Sequence, residues 1–486
     1  MARKLWTPPA SGWSVSQIPP MSRRRFLQAS GLALVAVACG GNGGGTTQEG
    51  QTGDGAQEGA PEVEFLEPTT QLSGELKILL WSHFVPRHDE WFDTFAKEWG
   101  QEVGVDVTVD HIDVGEVPTR ISAEISAGSG HDLMQYIAPI PQFEPSVIDL
   151  SDVTQEAESR YGSQVELCRV SSFNPTTNKF FAYSHSWVPD PGDYRKSLWE
   201  SVGLPDGPTS WDELLEGGAE IKAKQSVQMG IGMSQEIDSN MAGRALIWSF
   251  GGAIQDQNEN VIVNSPETVD ATEFMAQLFE QTMTDEVFAW NAASNNELLI
   301  AGQASYILNS ISAYRTAQTV NPEVSDDIFF VKALEGPAGG FAAQHVMYNW
   351  IVPEFSPNPD AAKEFLLNYT HNQARGTWES ELYDFPAFPE RVPQLSDWLA
   401  DDPFGSNPSD KLTVLQDAES WSKNVGYQGP ASTAIGEVFA TFIIPNMFAA
   451  VARGQMSAAD AVADAESQIV PIFEQWRGEG LIGGGS

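Results

Sequence analysis

Cysteine is almost missing from this chain: its 486 residues hold two, Cys39 and Cys168. No disulfide framework can be built from that pair, so a fold of this length must be held by hydrophobic burial. Long apolar runs are missing too. The run from about Gly31 to Ala38 is far shorter than the roughly 20 residues a membrane-crossing helix needs. Basic residues are scarce, with 26 Lys and Arg against 66 Asp and Glu and a net charge of −40. Nucleic acid and anionic lipid surfaces are poor partners for such a chain, and no nucleic-acid partner is expected, because phosphate binding needs clustered Lys and Arg. The acids are spread along the chain, as on a solvated surface. No G-x-S-x-G, H-E-x-x-H, G-x-x-x-x-G-K or C-x-x-C occurs, and the seven histidines show no metal-ligand spacing. No cofactor and no metal is therefore expected. A pair of glycosidase carboxylates can hide among 66 acids, which keeps a secreted carbohydrate-active enzyme as an alternative.

Three of the basic residues stand side by side near the start. Arg23, Arg24 and Arg25 precede Phe26-Leu27 and the short apolar run, the layout of an export signal, and the arginines resemble the twin-arginine motif. Ala36-Val37-Ala38-Cys39 resembles a lipobox, with Ala36 where Leu is most usual. Residues 1–38 are thus expected to be a twin-arginine lipoprotein signal peptide, with Cys39 as the lipidated new N-terminus. Ordinary secretory cleavage near Ala38 is the alternative. Either route exports the protein, to the outer face of the cell membrane or to a periplasm. Losing residues 1–38 removes five basic and no acidic side chains and takes the charge to −45. Gly, Gln, Thr and Glu dominate the next stretch, and residues 39–72 are expected to form a flexible tether. Cys168 reads as a small buried hydrophobe.

The body begins with an apolar run of strand length, Glu75 to Trp81. Trp91, Phe92, Phe95, Ala96 and Trp99 then recur at helical spacing, and Val105 to Val109 alternates as a strand. Strand, helix and strand within about 35 residues form a βαβ unit, which implies a parallel sheet. A second helix is expected near Val117 to Ala127. Later helices are expected from Ala361, after Pro357 and Pro359, and from Ala458 to Trp476.

Several stretches taken in order resemble one family, the extracellular solute-binding proteins of ABC importers, in its sugar-binding, maltose-binding-protein-like group. Gly74 to Trp81 is similar to the family's first strand and Trp91 to Trp99 to its first helix. Ala127-Gly128-Ser129-Gly130-His131-Asp132-Leu133 resembles its A-G-x-x-P-D-[IL] turn, with His131 in the Pro position. Pro208-Thr209 followed by Trp211-Asp212-Glu213-Leu214, then Gly251-Gly252, Asn264-Ser265-Pro266-Glu267, Pro357 to Phe365 and Arg453-Gly454 continue the likeness. Tyr194-Arg195-Lys196 departs from the usual Tyr-Asn-[KP]. The resemblance implies a periplasmic-binding-protein-like α/β fold, with two lobes joined by hinge crossovers and a ligand cleft between them. Carried over, lobe 1 takes residues 73–184 and 305–353, and lobe 2 takes residues 185–304 and 354–486. Hinges then fall near 184–189, 302–309 and 349–356. It also implies a non-enzymatic, monomeric receptor that captures a carbohydrate and passes it to membrane permease subunits.

Ligands in such lobes sit beyond the carboxyl ends of the strands. That rule selects Trp81, Ser82 and His83 after the first strand, and Asp132 and Tyr136 around the third. The crossovers supply His185 and Trp187, Asn309, and Tyr348, Asn349 and Trp350. Trp290 and Asn291 follow a helix and loop of the second lobe, and Phe385, with Trp378 and Tyr383, lies in a Pro-rich stretch. Aromatic rings suit sugar faces, and the polar groups suit hydroxyls. Core packing is the competing reading for each aromatic, and for Asp132 a structural cap. Arg244 and Trp248 read as helix packing or a surface ion pair. A polyamine, metal ion or other small solute on the same fold is the competing ligand class, favoured by the acidic composition. The 15 tryptophans favour a sugar.

Overall fold

The expected βαβ unit is formed by Gly74–Trp81 (β1), Pro86–Val103 (α1) and Val105–Ile112 (β2) in a computed structural model that describes residues 59–137 and 141–485. The signal segment 1–38, Cys39 and the tether as far as residue 58 lie outside the described residues. β1 and β2 run parallel, from Gly74 opposite Val105 to Trp81 opposite Ile112. Proline opens α1, where its missing N–H is one of the first-turn orphans anyway. Gly104 ends it at φ 78°, a left-handed cap that glycine adopts without strain. Phe92, Phe95, Ala96 and Trp99 form its buried stripe. A Cβ on Gly100 would come within 2.5 Å of the Val105 carbonyl, so that glycine lets helix and strand lie close.

Val117–Ala127 (α2) leads to Leu133–Tyr136 (β3), which pairs parallel with β1. In the turn between them His131 is held by Glu124 at 2.8 Å and Asp110 at 3.1 Å. These hydrogen bonds fix the position that proline occupies in the resembling turn. Tyr183–Val188 (β4) follows, and the chain then crosses through Pro189–Pro191 to a second sheet. That sheet contains Gly192–Arg195 (β5), Gln228–Gly230 (β6), Ala304–Leu308 (β7) and Ile328–Val331 (β8), in the order β8-β5-β7-β6. Val346–Ile351 (β9) and Phe385–Pro386 (β10) return to complete the first sheet, in the order β10-β4-β9-β3-β1-β2.

Helices flank both sheets. Trp211–Gln225 (α3) starts where Ser210 Oγ accepts from Glu213 N at 3.1 Å and Glu213 accepts from Thr209 N at 2.7 Å, a reciprocal cap written as Thr-Ser-Trp-Asp-Glu. Ile237–Phe250 (α4) and Pro266–Thr282 (α5) follow, the latter capped by Ser265 with Pro266 in its first turn. Ser294–Ile300 (α6), Pro359–His371 (α7), Thr433–Ala440 (α8), Ile443–Ala452 (α9) and Ala458–Gly478 (α10) lie further along the chain.

Two separate apolar cores result, and they divide the chain differently from the expected boundaries. β7 and β8 were expected with the first lobe but hydrogen-bond into the second sheet. α7, β10 and the residues up to Trp421 were expected with the second lobe but pack in the first core. The return crossing therefore falls between β8 and β9, upstream of the expected 349–356 hinge. Hydrophobic periodicity shows that these segments are strands and helices; their long-range partners decide the sheet.

The end of the expected tether is also docked. Glu64 N and Leu66 N donate to Asn372 Oδ1 and Asn368 Oδ1 on and just after α7, at 2.8 and 2.6 Å, and Phe65 packs on Phe95. Side-chain amides, which can give and accept at once, pair this extended backbone as a strand neighbour would.

Candidate functional site

Beyond the carboxyl end of β6, Gly230-Ile231-Gly232 leads into the loop before α4. Close approach demands both glycines. A Cβ on Gly230 would meet the Trp290 ring at 2.5 Å, and one on Gly232 would meet Glu236 Oε1 at 2.6 Å. Glu236 caps α4 and accepts from the backbone N–H groups of Asp238 and Ser239, both at 2.6 Å. Asp238 Oδ2 accepts from Asn295 Nδ2 at 2.8 Å. These two carboxylates, Asn295, Trp290, Asn291 and Leu308 of β7 line a pocket that in this arrangement is too tight to admit a water molecule. It lies where the cores meet, because Trp290, Ile237 and Tyr136 each pack against both.

Charge is concentrated there. Asp190, on the first crossover, pairs with His345 Nδ1 at 3.0 Å, and both side chains are buried. Asp193 on β5 is fully buried, with no hydrogen-bond partner on either carboxylate oxygen. Burial, reinforced by Asp238, pushes Glu236 up to about 8. Burial likewise pushes Asp238 up to about 6, against the pull of His345. Burial alone would lower the His345 imidazole, but Asp190 outweighs it and holds the ring above its ordinary value.

A roomier hollow of about 540 Å³ lies between the helix Glu166–Ser172 and residues 419–430. It is lined by that helix, by Phe173 and Ser422–Lys423 on two short strands, by Glu419 and by loops. The smaller pocket stands at strand ends, where α/β sheets place their ligands.

Of the residues selected from sequence, Trp290 and Asn291 line the strand-end pocket, and partly exposed Tyr136 stands at the junction of the cores. Asn309 sits at the crossover, its N–H donating to Pro191 O at 3.2 Å. Trp81, His83, His185, Tyr348 and Trp350 are brought together in a buried network of the first core. His83 Nε2 lies 3.0 Å from Tyr348 Oη, which donates to Asp384 at 2.5 Å. His83 stacks between Trp81 and His88, and Trp350 Nε1 donates to His185 Nδ1 at 3.0 Å. Burial opposes the charge of Asp384, yet His83, His88 and Tyr348 hold its carboxyl below the ordinary value. Burial lowers His185 to about 3, so that ring is neutral.

The others serve packing and register. Asp132 accepts from Lys77 N at 2.9 Å and Ser356 Oγ at 2.8 Å, the structural-cap reading of that aspartate. Trp187 meets Phe385 edge-on at 5.5 Å across the β4–β10 pair. Asn349 donates to Ser171 O at 3.3 Å. Arg244 is fully buried over Phe439, its guanidinium bonded to Val425 O and Asn240 and pushed down to about 9 by burial. The unusual Arg195-Lys196 is spent on Asp327 and the Phe329 ring. Sequence reasoning missed Glu236, Asp238 and Asn295, and the Asp190–His345 pair. The strand-end rule that selected Trp81 also selects Gln235-Glu236-Ile237-Asp238, once the short strand Gln228–Gly230 is seen.

The profile of the family described as bacterial extracellular solute-binding protein matches residues 86–375, well over half of the chain. The chain belongs to that family. A Deinococcus radiodurans protein named "Probable ABC transporter-binding protein" is 25% identical over 196 residues, 38% of this chain and 47% of that protein. A binding protein of Brucella abortus is 22% identical over 191 residues, 37% and 46% of the two chains. The chain spans about half the length of these relatives. Among solved structures, maltose-bound T. maritima MalE3 is 18% identical, with a TM-score of 0.67 over 82% of this chain and 100% of that one. An Arthrobacter chlorophenolicus sugar transporter protein with bound laminaribiose gives 18% and 0.69 over 82% and 99%. The GacH receptor of Streptomyces glaucescens, solved unliganded and with acarbose, gives 18% and 0.66 over 83% and 99%. These likenesses show the fold, the two-lobed α/β architecture of periplasmic sugar-binding proteins, and membership of the family implies export.

Proposed function

We propose that this protein is the substrate-binding receptor of an ABC-type carbohydrate importer. It captures a sugar or oligosaccharide between its lobes and delivers it to a membrane permease. The observation that carries this reading is the pocket at the junction of the two cores, where Trp290 stands beside Glu236, Asp238 and Asn295. A tryptophan face covers the apolar face of a sugar ring, and carboxylates and amides take its hydroxyls in charge-assisted hydrogen bonds. Structures of the same fold hold maltose and laminaribiose. In this assignment Trp290, Asn291 and Tyr136 touch the ligand, and Asn309 steadies the crossover beside it. The Trp81–His83–Tyr348 network, with His185 and Trp350, braces the first lobe's rim, and Trp187, Phe385, Asn349 and Asp132 hold the strands behind it.

A ligand that touches both lobes favours their closed arrangement by the contacts it makes only there. The crossovers at Pro189–Pro191 and between β8 and β9 are where such a hinge bends. No covalent step is required. Cys39 is the proposed lipid anchor, and the chain acts as a monomer on the outer face of the membrane.

Calorimetry of residues 39–486 against a panel of mono- and oligosaccharides tests the reading. A sugar bound with micromolar affinity or better, about −8 kcal/mol, is expected. Spermidine or a metal ion binding while every sugar fails would sink it.

A further inference from the structure

The hollow between the helix Glu166–Ser172 and residues 419–430 is walled by both cores. Leu167 belongs to the first core and Phe173 packs against it, whereas Tyr427 packs against the second. The chain itself changes lobe there. Trp421 lies in the first core and Val425 in the second, so Ser422, Lys423 and Asn424 form a further crossing. Ser422–Lys423 pairs in parallel with Ala342–Ala343, which lies in the crossing between β8 and β9. Ala431 N donates to Val170 O at 3.1 Å and ties one wall to the other. The hollow therefore sits at the hinge. α4 keeps it apart from the strand-end pocket: Glu236 caps one end of that helix, and Trp248 near the other end meets the Tyr427 ring edge-on at 5.7 Å. The helix between them is roughly 18 Å long at 1.5 Å per residue.

In a chain with 26 basic and 66 acidic residues, this hollow brings two basic side chains together. Neither is spent within the protein. The Arg169 guanidinium lies over the Phe173 and Phe180 rings at 5.3 and 5.2 Å, and its one ionic partner among the described residues is Glu158 at 3.5 Å. The Lys423 ammonium lies over Phe341 and Tyr427 at 5.5 and 5.7 Å. Among the described residues it pairs with no carboxylate and donates to Ser420 O alone, at 3.3 Å. Ring faces hold both cations in place without consuming their N–H donors. Ser422, also in the lining, is 3% exposed, and its Oγ has no partner. Unspent cationic donors from both walls call for an acceptor, and a carboxylate takes a guanidinium fork and an ammonium in charge-assisted bonds. Glu166 and Glu419 are exposed members of the lining. Water screens them, yet they weigh against a doubly charged ligand such as a phosphate ester. The hollow's volume of about 540 Å³ suits a small ring, and the Gln257 and Gln428 amides suit its hydroxyls.

We propose that the hinge hollow is a second ligand site, which takes a sugar acid, a hydroxylated ring carrying one carboxylate, between Arg169 and Lys423. Such an occupant touches both lobes and biases their arrangement through contacts that differ between arrangements. Calorimetry of residues 39–486 with glucuronate, glucose, acetate and glucose 6-phosphate tests the site on the unaltered sequence. Glucuronate is expected to bind at least about tenfold tighter than the other three, about 1.4 kcal/mol. Arg169→Gln and Lys423→Gln, checked for native melting, are each expected to weaken glucuronate about tenfold, and Lys423→Arg to keep most of its affinity. Trp290→Ala, at the other end of α4, is expected to leave it within about twofold. At saturation glucuronate is expected to change the radius of gyration in small-angle scattering, and an unchanged radius overturns its effect on the lobes. Glucuronate binding no tighter than glucose, or binding unmoved by both glutamine variants, overturns the site. Tighter binding of glucose 6-phosphate overturns the carboxylate assignment. Loss of glucuronate binding in Trp290→Ala puts the acid in the strand-end pocket, which overturns the second site and leaves the carbohydrate reading standing. Failure of every neutral sugar, with glucuronate behaving as expected, overturns that reading and leaves this site standing.

Discussion

Glu236→Gln is expected to stabilise the ligand-free protein at alkaline pH and to do little in acid. Two effects oppose each other at this residue. Its cap bonds from Asp238 N and Ser239 N, and the N-terminal end of α4, favour the carboxylate by about 0.5–2 kcal/mol. Burial and the neighbouring Asp238 carboxylate disfavour it, and they win, since the group is pushed up from 4.5 to about 8. The folded chain therefore binds this proton more tightly than the unfolded chain does. The stability it contributes is fully present below about pH 4.5 and is lost as the pH rises through about 8. At about 1.36 kcal/mol per pH unit, that window is worth on the order of 5 kcal/mol. Glutamine has no charge to bury but only one acceptor oxygen, and because the two cap bonds go to different oxygens of Glu236 one of them is given up, as it is weakened when the carboxyl itself is protonated. Asp190 and His345 titrate in both proteins, whereas Asp238, which shares the site with Glu236, is relieved of a like charge by the substitution and adds to the gain at alkaline pH. Scanning fluorimetry across a buffer series is expected to show equal melting temperatures near pH 5 and a variant several degrees higher at pH 9. A variant that melts below the parent at pH 9 would refute the reasoning, because the cap charge would then be a net gain.

Trp290→Ala is expected to weaken sugar binding by about 1–2 kcal/mol, five- to thirtyfold by calorimetry, through loss of the stacking face. Gly230→Ala, which drives a Cβ into that ring, should lower affinity in the same direction with Trp290 still present. Arg315→Gln leaves Asp402 buried without the guanidinium now 2.7 Å away, and should cost about 3–5 kcal/mol in chemical denaturation. Replacing Asn368 and Asn372 by Ala together removes the amides that hold Glu64 and Leu66, and hydrogen exchange at those two residues should rise while β1 stays protected. Cys39→Ser should move the protein from the membrane fraction to the soluble fraction of expressing cells.

Much of the local structure was legible before folding. The spacing of Trp91, Phe92, Phe95 and Trp99 marked α1; in the structure Pro86 opens it and Gly104 closes it, local effects confined to neighbouring residues. Ser210 and Ser265 cap α3 and α5 over the same short range, since a cap bond reaches three residues. Trp290 and Asn291 were reached as candidate contacts because they follow a helix and loop. What stayed hidden depends on distance in the chain. Trp81 and His83 end a strand, yet their rings meet Tyr348 and Asp384, more than 260 residues away. β7 looks from sequence like any short apolar strand, and its place beside β5 and β6 was settled by backbone pairing. The charge balance of the pocket is the clearest case. Glu236, Asp238, Asp190 and its partner His345 are four scattered letters among 66 acids and 7 histidines. Periodicity, caps and export signals are short-range properties that a sequence carries openly. Which buried charges face one another is set by two sheets and their crossovers, and so by the tertiary structure alone.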